Sequence, residues 1–302
     1  MIGLYYLNYA ILAAFLTLFI VELGMAVSAL VYYGKYRERI RHYIMPLWEI
    51  TGTFAVFYVV SLVATYPNLI PVVAPIYIAP IIAAALLLIV RNAFLAYSEI
   101  MGEHRMEKAA FRIYSVATII VAFILASMLG SVVSVGHPGL LSGFGAAVFL
   151  VMLLLGLFAA SSLIRDDEGK LLPSCFAVVA PILALSAFGF GISYGMQAIV
   201  SNAYLIVPWL AFLAVAIALY IKGSKVSGKL AFLLIFLGVM LFAAVQNQML
   251  FNGGQSLSQF VTNSAGASGL LAVTTIGGTF LVAALLYFVY ITQIKKPVQA
   301  RK

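Results

Sequence analysis

Three charged residues stand inside long apolar runs of this sequence: Glu22, Glu49 and Arg91. Each is costly in the interior of a bilayer and needs a partner, water or a task. Glu22 precedes Lys35, the first basic residue, by 13 positions, which is about 20 Å of helix at roughly 1.5 Å per residue. A carboxyl at that depth cannot snorkel to water, so it is expected to be protonated or partnered. Glu49 opens the next apolar run, just beyond a basic cluster, and is expected nearer the cytoplasmic side. One shallow and one deep carboxyl would form a natural proton relay. Arg91 is expected to snorkel or to pair with Glu49, locking helices together.

Other residue types narrow the chemistry. His42, His104 and His137 all fall in predicted loops, whereas a haem held between helices takes its axial ligands from within spans. The ten methionines are read as flexible apolar fillers. Any redox cofactor is therefore expected on a partner chain and none on this one. Cys175 has no second cysteine to meet, which excludes an intrachain disulfide and a cysteine metal site. Gln246, Asn247 and Gln248 are candidates for contact with a quinone or a lipid headgroup, against the commoner role of interhelical hydrogen bonding. Tyr194 and Gln197 pose the same choice. Gly277 and Gly278, like Gly189, Gly191 and Gly195, allow helices to pack closely. The sequence contains no P-loop, dinucleotide fingerprint, metalloprotease motif or acyl-transfer serine context.

The elements that must position these residues follow from composition. Of 302 residues, 65% are hydrophobic and only 9% charged, against about 25% charged in soluble domains. The mean hydropathy is +1.13. Lipid is the solvent for such a chain, and lipid requires each backbone group to be paired within its own helix. The fold class is thus an all-α integral membrane protein. Nine apolar runs are long enough to span, at about 6–33, 45–66, 72–98, 112–135, 140–164, 172–199, 203–222, 228–251 and 268–294. They form one polytopic membrane domain. The first 33 residues lack a basic start and run apolar too far for a cleavable signal, so they read as the first span.

Taken alternately, the connecting segments separate into two chemical sets. One set carries Lys35, Arg37, Arg39 and Arg41, then Arg105, Lys108 and Arg112, then Arg165 and Lys170, then Lys222, Lys225 and Lys229, then Lys295, Lys296, Arg301 and Lys302. The other set, at 66–71, 135–138, 201–202 and 252–267, holds no Lys, Arg, Asp or Glu. The positive-inside rule places the first set in the cytoplasm, the N-terminus outside and the C-terminus in the cytoplasm. The net charge of +8 is therefore a topology signal, and nucleic acid is not an expected partner.

Around the acidic helices the sequence resembles subunit II of the cytochrome bd quinol oxidases. Val21-Glu22-Leu23-Gly24-Met25 resembles that family's first-helix D-G-F-D-x-G, with Glu22 at the first Asp and Met25 at the second. Pro46-Leu47-Trp48-Glu49 resembles its P-x-W-D. Ile50-Thr51-Gly52-Thr53-Phe54 stands where the family has G-N-E-V-W. Tyr66-Pro67, Tyr77, Arg91 and Asn263-Ser264-Ala265 fall on further short motifs, in order. The resemblance implies two four-helix bundles plus a peripheral helix, in the cell membrane. It implies a haem-bearing subunit I as partner, holding haem b and haem d and oxidising quinol, together with membrane lipid and small single-span accessory subunits. It also implies a proton path through Glu49, Trp48 and Glu22. A proton-coupled secondary transporter using the same two glutamates, and a purely structural membrane scaffold, are the alternatives that the residues leave open.

Overall fold

The computed structural model describes residues 2–101, 104–133, 143–164, 233, 235–237, 239, 250–251, 255–261 and 264–289. The segments 172–199 and 203–222 lie outside the described residues, as do Cys175, His137, Tyr194, Gln197 and the glycines between 189 and 195. Among the described residues the architecture is helical, apart from one two-residue antiparallel pair.

Helix α1, Ile2–Thr65, contains 64 residues and would reach about 96 Å if straight. It does not run straight. At Tyr36 the backbone leaves helical geometry (φ −119°, ψ 27°), and the chain doubles back on itself. Asn8 Nδ2 donates to Ser61 Oγ at 3.2 Å, and the Phe15 ring stacks on Tyr58 with centroids 6.2 Å apart. The two arms, 2–35 and 37–65, are therefore an antiparallel hairpin. His42, expected in a loop, lies on the second arm, and His104 is the first residue of a later helix. Both differences have one cause: Arg, Lys and Glu are good helix formers, so the helices run on into the charged connections.

Tyr66 ends the hairpin. The residue before a proline is steered away from helical geometry, and Tyr66 stands before Pro67 at φ −125°, ψ 61°. A 3₁₀ turn, Pro67–Leu69, leads into α2, Ile70–Met101, which passes through Pro75 and Pro80 without interruption. Helices α3, His104–Val133, and α4, Gly143–Leu163, follow. Leu250–Phe251 pairs with Gln255–Ser256 as strands β1 and β2, so the run expected to stay helical to 251 has become extended before its end. The turn Leu257–Phe260 then precedes α5, Ser264–Val289.

Among the described residues, three helices are long and apolar enough to cross a membrane, Leu7–Thr65, Pro67–Ser98 and Glu107–Ser131, and the first of them is the hairpin. Helix α3 packs against α2, α1 and α4, while α1 also packs against α4 and α5. The core is a column of buried side chains from Phe19 through Leu23, Ala26 and Tyr33 on α1, with Phe111, Tyr114 and Val121 on α3 and Leu155 and Phe158 on α4. The outward faces carry exposed Val56, Val60, Ile82, Leu86, Ile276 and Phe280, apolar exteriors that suit lipid or another membrane chain.

Among the described residues, members of the two chemical sets of connections lie at opposite ends of this bundle. At the hairpin turn Arg37 and Arg41 reach Glu107 at the start of α3. At the open end Tyr66 is buried with Phe260, from two uncharged segments, and the Tyr77 and Ser131 hydroxyls are 3.0 Å apart. Of the glycines singled out, Gly278 faces the Phe57 ring, where an added Cβ would come within 3.2 Å, whereas Gly277 has open space beside it.

Candidate functional site

The deep carboxyl is partnered. Glu22 on the first arm and Arg91 on α2 are both fully buried, and Arg91 Nη1 lies 2.9 Å from Glu22 Oε1. Tyr114 of α3 donates its hydroxyl to the same oxygen at 2.6 Å. Arg91 also donates to Thr118 Oγ1 at 3.2 Å and, through Nε, to Asn92 Oδ1 at 3.1 Å. Its guanidinium lies 5.5 Å from the Tyr114 ring centre, within cation–π range. Three helices thus converge on one carboxylate. A buried charge pair is tolerable only when its remaining donors and acceptors are also met, and Thr118, Asn92 and Tyr114 meet most of them.

One atom is left over. Glu22 Oε2 is buried and has no hydrogen-bond partner among the described residues. A buried polar atom without a partner is rare enough to need a reason. On a carboxyl whose other oxygen holds a cation and a phenol, the free oxygen is where a proton would bind.

The expected pairing of Arg91 with Glu49, or its escape to the interface, is not what forms. Helices α2 and α3 pack together, which points Arg91 across the seam at the first arm and leaves the second arm's carboxyl out of its reach. Glu49 is exposed. Extending the hairpin register set by Asn8 with Ser61 and Phe15 with Tyr58 puts Glu49 level with Glu22, not shallower. The two acids share a depth and differ in surroundings. Trp48, next to Glu49, packs partly buried against the core. Gln246, Asn247 and Gln248 lie outside the described residues.

A second acid escaped the sequence reading. Glu107 is buried, accepts a hydrogen bond from the Tyr33 hydroxyl at 2.6 Å, pairs with Arg37 and lies 3.6 Å from Arg41 Nη1. It lies between Arg105 and Arg112, in a charged connection outside the apolar runs. Tyr114 was missed as well, since a tyrosine in an apolar run carries no signal alone. The usable signal was spacing: Glu107, Phe111, Tyr114 and Thr118 recur every three or four residues along one face of α3.

Because Tyr114 bonds a charged acceptor, Tyr114→Phe should cost about 1–3 kcal/mol, whereas Tyr77→Phe, which loses only a neutral hydroxyl pair, should cost about 0.5–1.5 kcal/mol. Thermal melting of the two variants side by side checks the order. Equal shifts would mean that Tyr114 does not share the charge of the pair.

Among the described residues no three His, Cys, Asp or Glu side chains gather as metal ligands. The buried polar cluster consists of an ion pair, a phenol and a hydroxyl. These groups do not fit a haem, because the carboxylate is already neutralised by Arg91 and the Tyr114 hydroxyl is turned onto it. The cluster is suited to holding and passing a proton.

Comparisons with known proteins bear on the whole chain. The family model for cytochrome bd terminal oxidase subunit II matches residues 3–294. A search of curated proteins found no match. Among solved structures, a chain of the bd oxidase from Geobacillus thermodenitrificans is similar, with a TM-score of 0.69 at 17% identity, over 98% of this chain and 98% of that one. At that identity the likeness concerns the fold.

Proposed function

This chain belongs to the cytochrome bd terminal oxidase subunit II family, and we propose that it is the haem-free second subunit of a quinol:oxygen oxidoreductase in a respiratory chain. In this reading the partner, subunit I, carries haem b and haem d and oxidises quinol, and no electron step runs through the present chain. The subunit spans the cell membrane nine times, as two four-helix bundles and a peripheral helix, with its N-terminus outside and its C-terminus in the cytoplasm. The alternation of charged and uncharged connections supports that topology, as does the meeting of Arg37 and Arg41 with Glu107 at one end. Lipid and small single-span accessory subunits complete the assembly.

The chain's own contribution is to protons. Glu22 is the proton-bearing group, and the observation that carries this is its buried Oε2, without a partner among the described residues, beside an oxygen already held by Arg91 and Tyr114. Glu49 stands level with it on the outward face of the second arm. A bare carboxyl facing lipid tails at that depth would be costly, so this face, with Glu49 and Thr53 above Val56 and Val60, is assigned to the contact with subunit I. There Glu49, steadied by Trp48, would pass protons to or from the partner.

The competing reading, proton-coupled secondary transport, expects helices broken at matching positions. Helix α2 is unbroken through Pro75 and Pro80, which weighs against it.

The test is to purify the chain with its native partners and record a reduced-minus-oxidised spectrum, followed by turnover-linked proton uptake in Glu22→Gln. Haem b and d bands from a co-purifying subunit are expected. The variant should keep those bands and lose uptake. Unchanged uptake would reject the role of Glu22, and a haem-free chain active alone in proton-linked substrate uptake would overturn the oxidase reading.

A further inference from the structure

The first arm of α1 and helix α3 face each other along a seam that holds two carboxyls in crossed fashion. Tyr33 of α1 bonds Glu107 of α3 at 2.6 Å, and Tyr114 of α3 bonds Glu22 of α1 at 2.6 Å. Each acid also meets arginine: Arg37 and Arg41 at Glu107, Arg91 at Glu22. The two stations are seven residues apart on α3, about 10 Å of helix.

They differ in access. Arg37 and Arg41 are 35% and 38% exposed in their side chains, so the Glu107 station opens at the charged end of the bundle. The Glu22 station is sealed. Between them stands Phe111, whose ring centre is 4.8 Å from that of Tyr33 and 6.4 Å from that of Tyr114. On the facing stripe of α1 the positions between Glu22 and Tyr33 are Ala26 and Ala29, both buried, so that stripe offers no polar group to bridge the gap. Glu49 lies outside this seam, on the exposed face of the second arm.

We propose that protons reach Glu22 along the α1–α3 seam, with Glu107 as the carboxyl that takes them up at the charged end and Phe111 as the apolar plug between the two acids. This rests on the reading of Glu22 as the proton-bearing group. A proton from the cytoplasm binds the Glu107 carboxylate, and its ion pairs with Arg37 and Arg41 are relieved. When the Phe111 ring turns aside, water carries the proton to Oε2 of Glu22, and Glu107 returns to its ion pairs. Arg91 keeps its own proton throughout. The plug prevents water from joining the stations permanently, which would leak protons.

The experiment uses the complete oxidase in vesicles with a pH-sensitive dye, following proton uptake during quinol-driven turnover in Glu22→Gln, Glu107→Gln, Glu107→Asp and Phe111→Ala. Glu22→Gln and Glu107→Gln should each slow uptake by about a hundredfold, the scale of losing a positioned proton-transfer group. Glu107→Asp should recover most of the rate. Phe111→Ala should raise uptake and should partly rescue Glu107→Gln by admitting water directly, a rescue that a merely structural role for Glu107 would not produce. If Glu107→Gln takes up protons like the unmodified complex while Glu22→Gln does not, the seam route is wrong and the role of Glu22 stands. If Glu22→Gln is unaffected, both fall. Should Glu107→Gln not assemble, Phe111→Ala decides: uptake unchanged or slower overturns the proposal.

Discussion

Arg91→Met is expected to destabilise the chain by about 3–5 kcal/mol, the penalty for leaving one member of a buried ion pair without the other. The loss is specific to charge and not to volume. Methionine fills most of the space of the arginine stem, and Thr118 still has the Tyr114 carbonyl as its acceptor at 2.8 Å. What is left without its cation is the Glu22 carboxyl, fully buried, with Tyr114 as its remaining partner among the described residues. Removing both charges should therefore restore most of the stability. In Glu22→Leu/Arg91→Met the residual cost is the unpaired Tyr114 hydroxyl, about 1–3 kcal/mol, and adding Tyr114→Phe should remove much of that. Circular dichroism melts of the detergent-solubilised oxidase give the order of the variants. A single variant as stable as the parent, or a double variant no better than the single, would show that the pair is not the unit described here. The charge-free variants should still lack proton uptake, which separates holding the fold from moving protons.

How much of this was legible in the sequence depends on the kind of interaction. Glu22, Glu49 and Arg91 announce themselves because a charge within an apolar run is conspicuous at any position. Depth along one helix is also legible, since it is a count of residues. What one helix cannot reveal is which face it turns to its neighbours. Glu49 appeared shallower than Glu22 when both were measured from the basic cluster, yet the hairpin turns at Tyr36, inside that cluster, and brings the two acids level. Arg91 was offered Glu49 as a partner because both were expected toward the cytoplasmic ends of their spans. The choice of Glu22 was made by the packing of α2 on α3, a tertiary fact. Glu107 was overlooked for the opposite reason: among charged neighbours a buried acid looks like any other. The family resemblance was legible on a few short motifs around the acids, and the match over residues 3–294 shows that it extends through the middle of the chain, where no motif stands out.

The crossing of α1 and α4 predicts opposite outcomes for one chemical change at two glycines. At Gly24 an added Cβ would overlap the carbonyl of Gly156, and one on Gly156 would meet the Ile20 carbonyl and the Gly24 backbone. Both obstacles are backbone, which cannot turn aside as a side chain can. Gly24→Val should therefore force the helices apart at a cost of about 3 kcal/mol or more, at the upper end for overpacking. Gly24→Ala should do the same to a lesser degree. Gly34 lies on the same arm with nothing within 4 Å of where its Cβ would sit. There alanine only reduces the freedom of the unfolded chain, so Gly34→Ala should gain about 0.5–1 kcal/mol. Melting temperatures moving in opposite directions would establish that the contact, and not glycine's helix propensity, is what matters at Gly24. The functional consequence is more local. Gly24 is two residues from Glu22, and Ser28 bonds the Gly24 carbonyl at 2.9 Å one turn further on. A first arm displaced from α4 would carry Glu22 with it, against an Arg91 fixed from α2 and a Tyr114 fixed from α3. An Arg91–Glu22 pair set at 2.9 Å has little slack, so proton uptake in Gly24→Ala should fall further than its stability alone explains, whereas Gly34→Ala should take up protons normally.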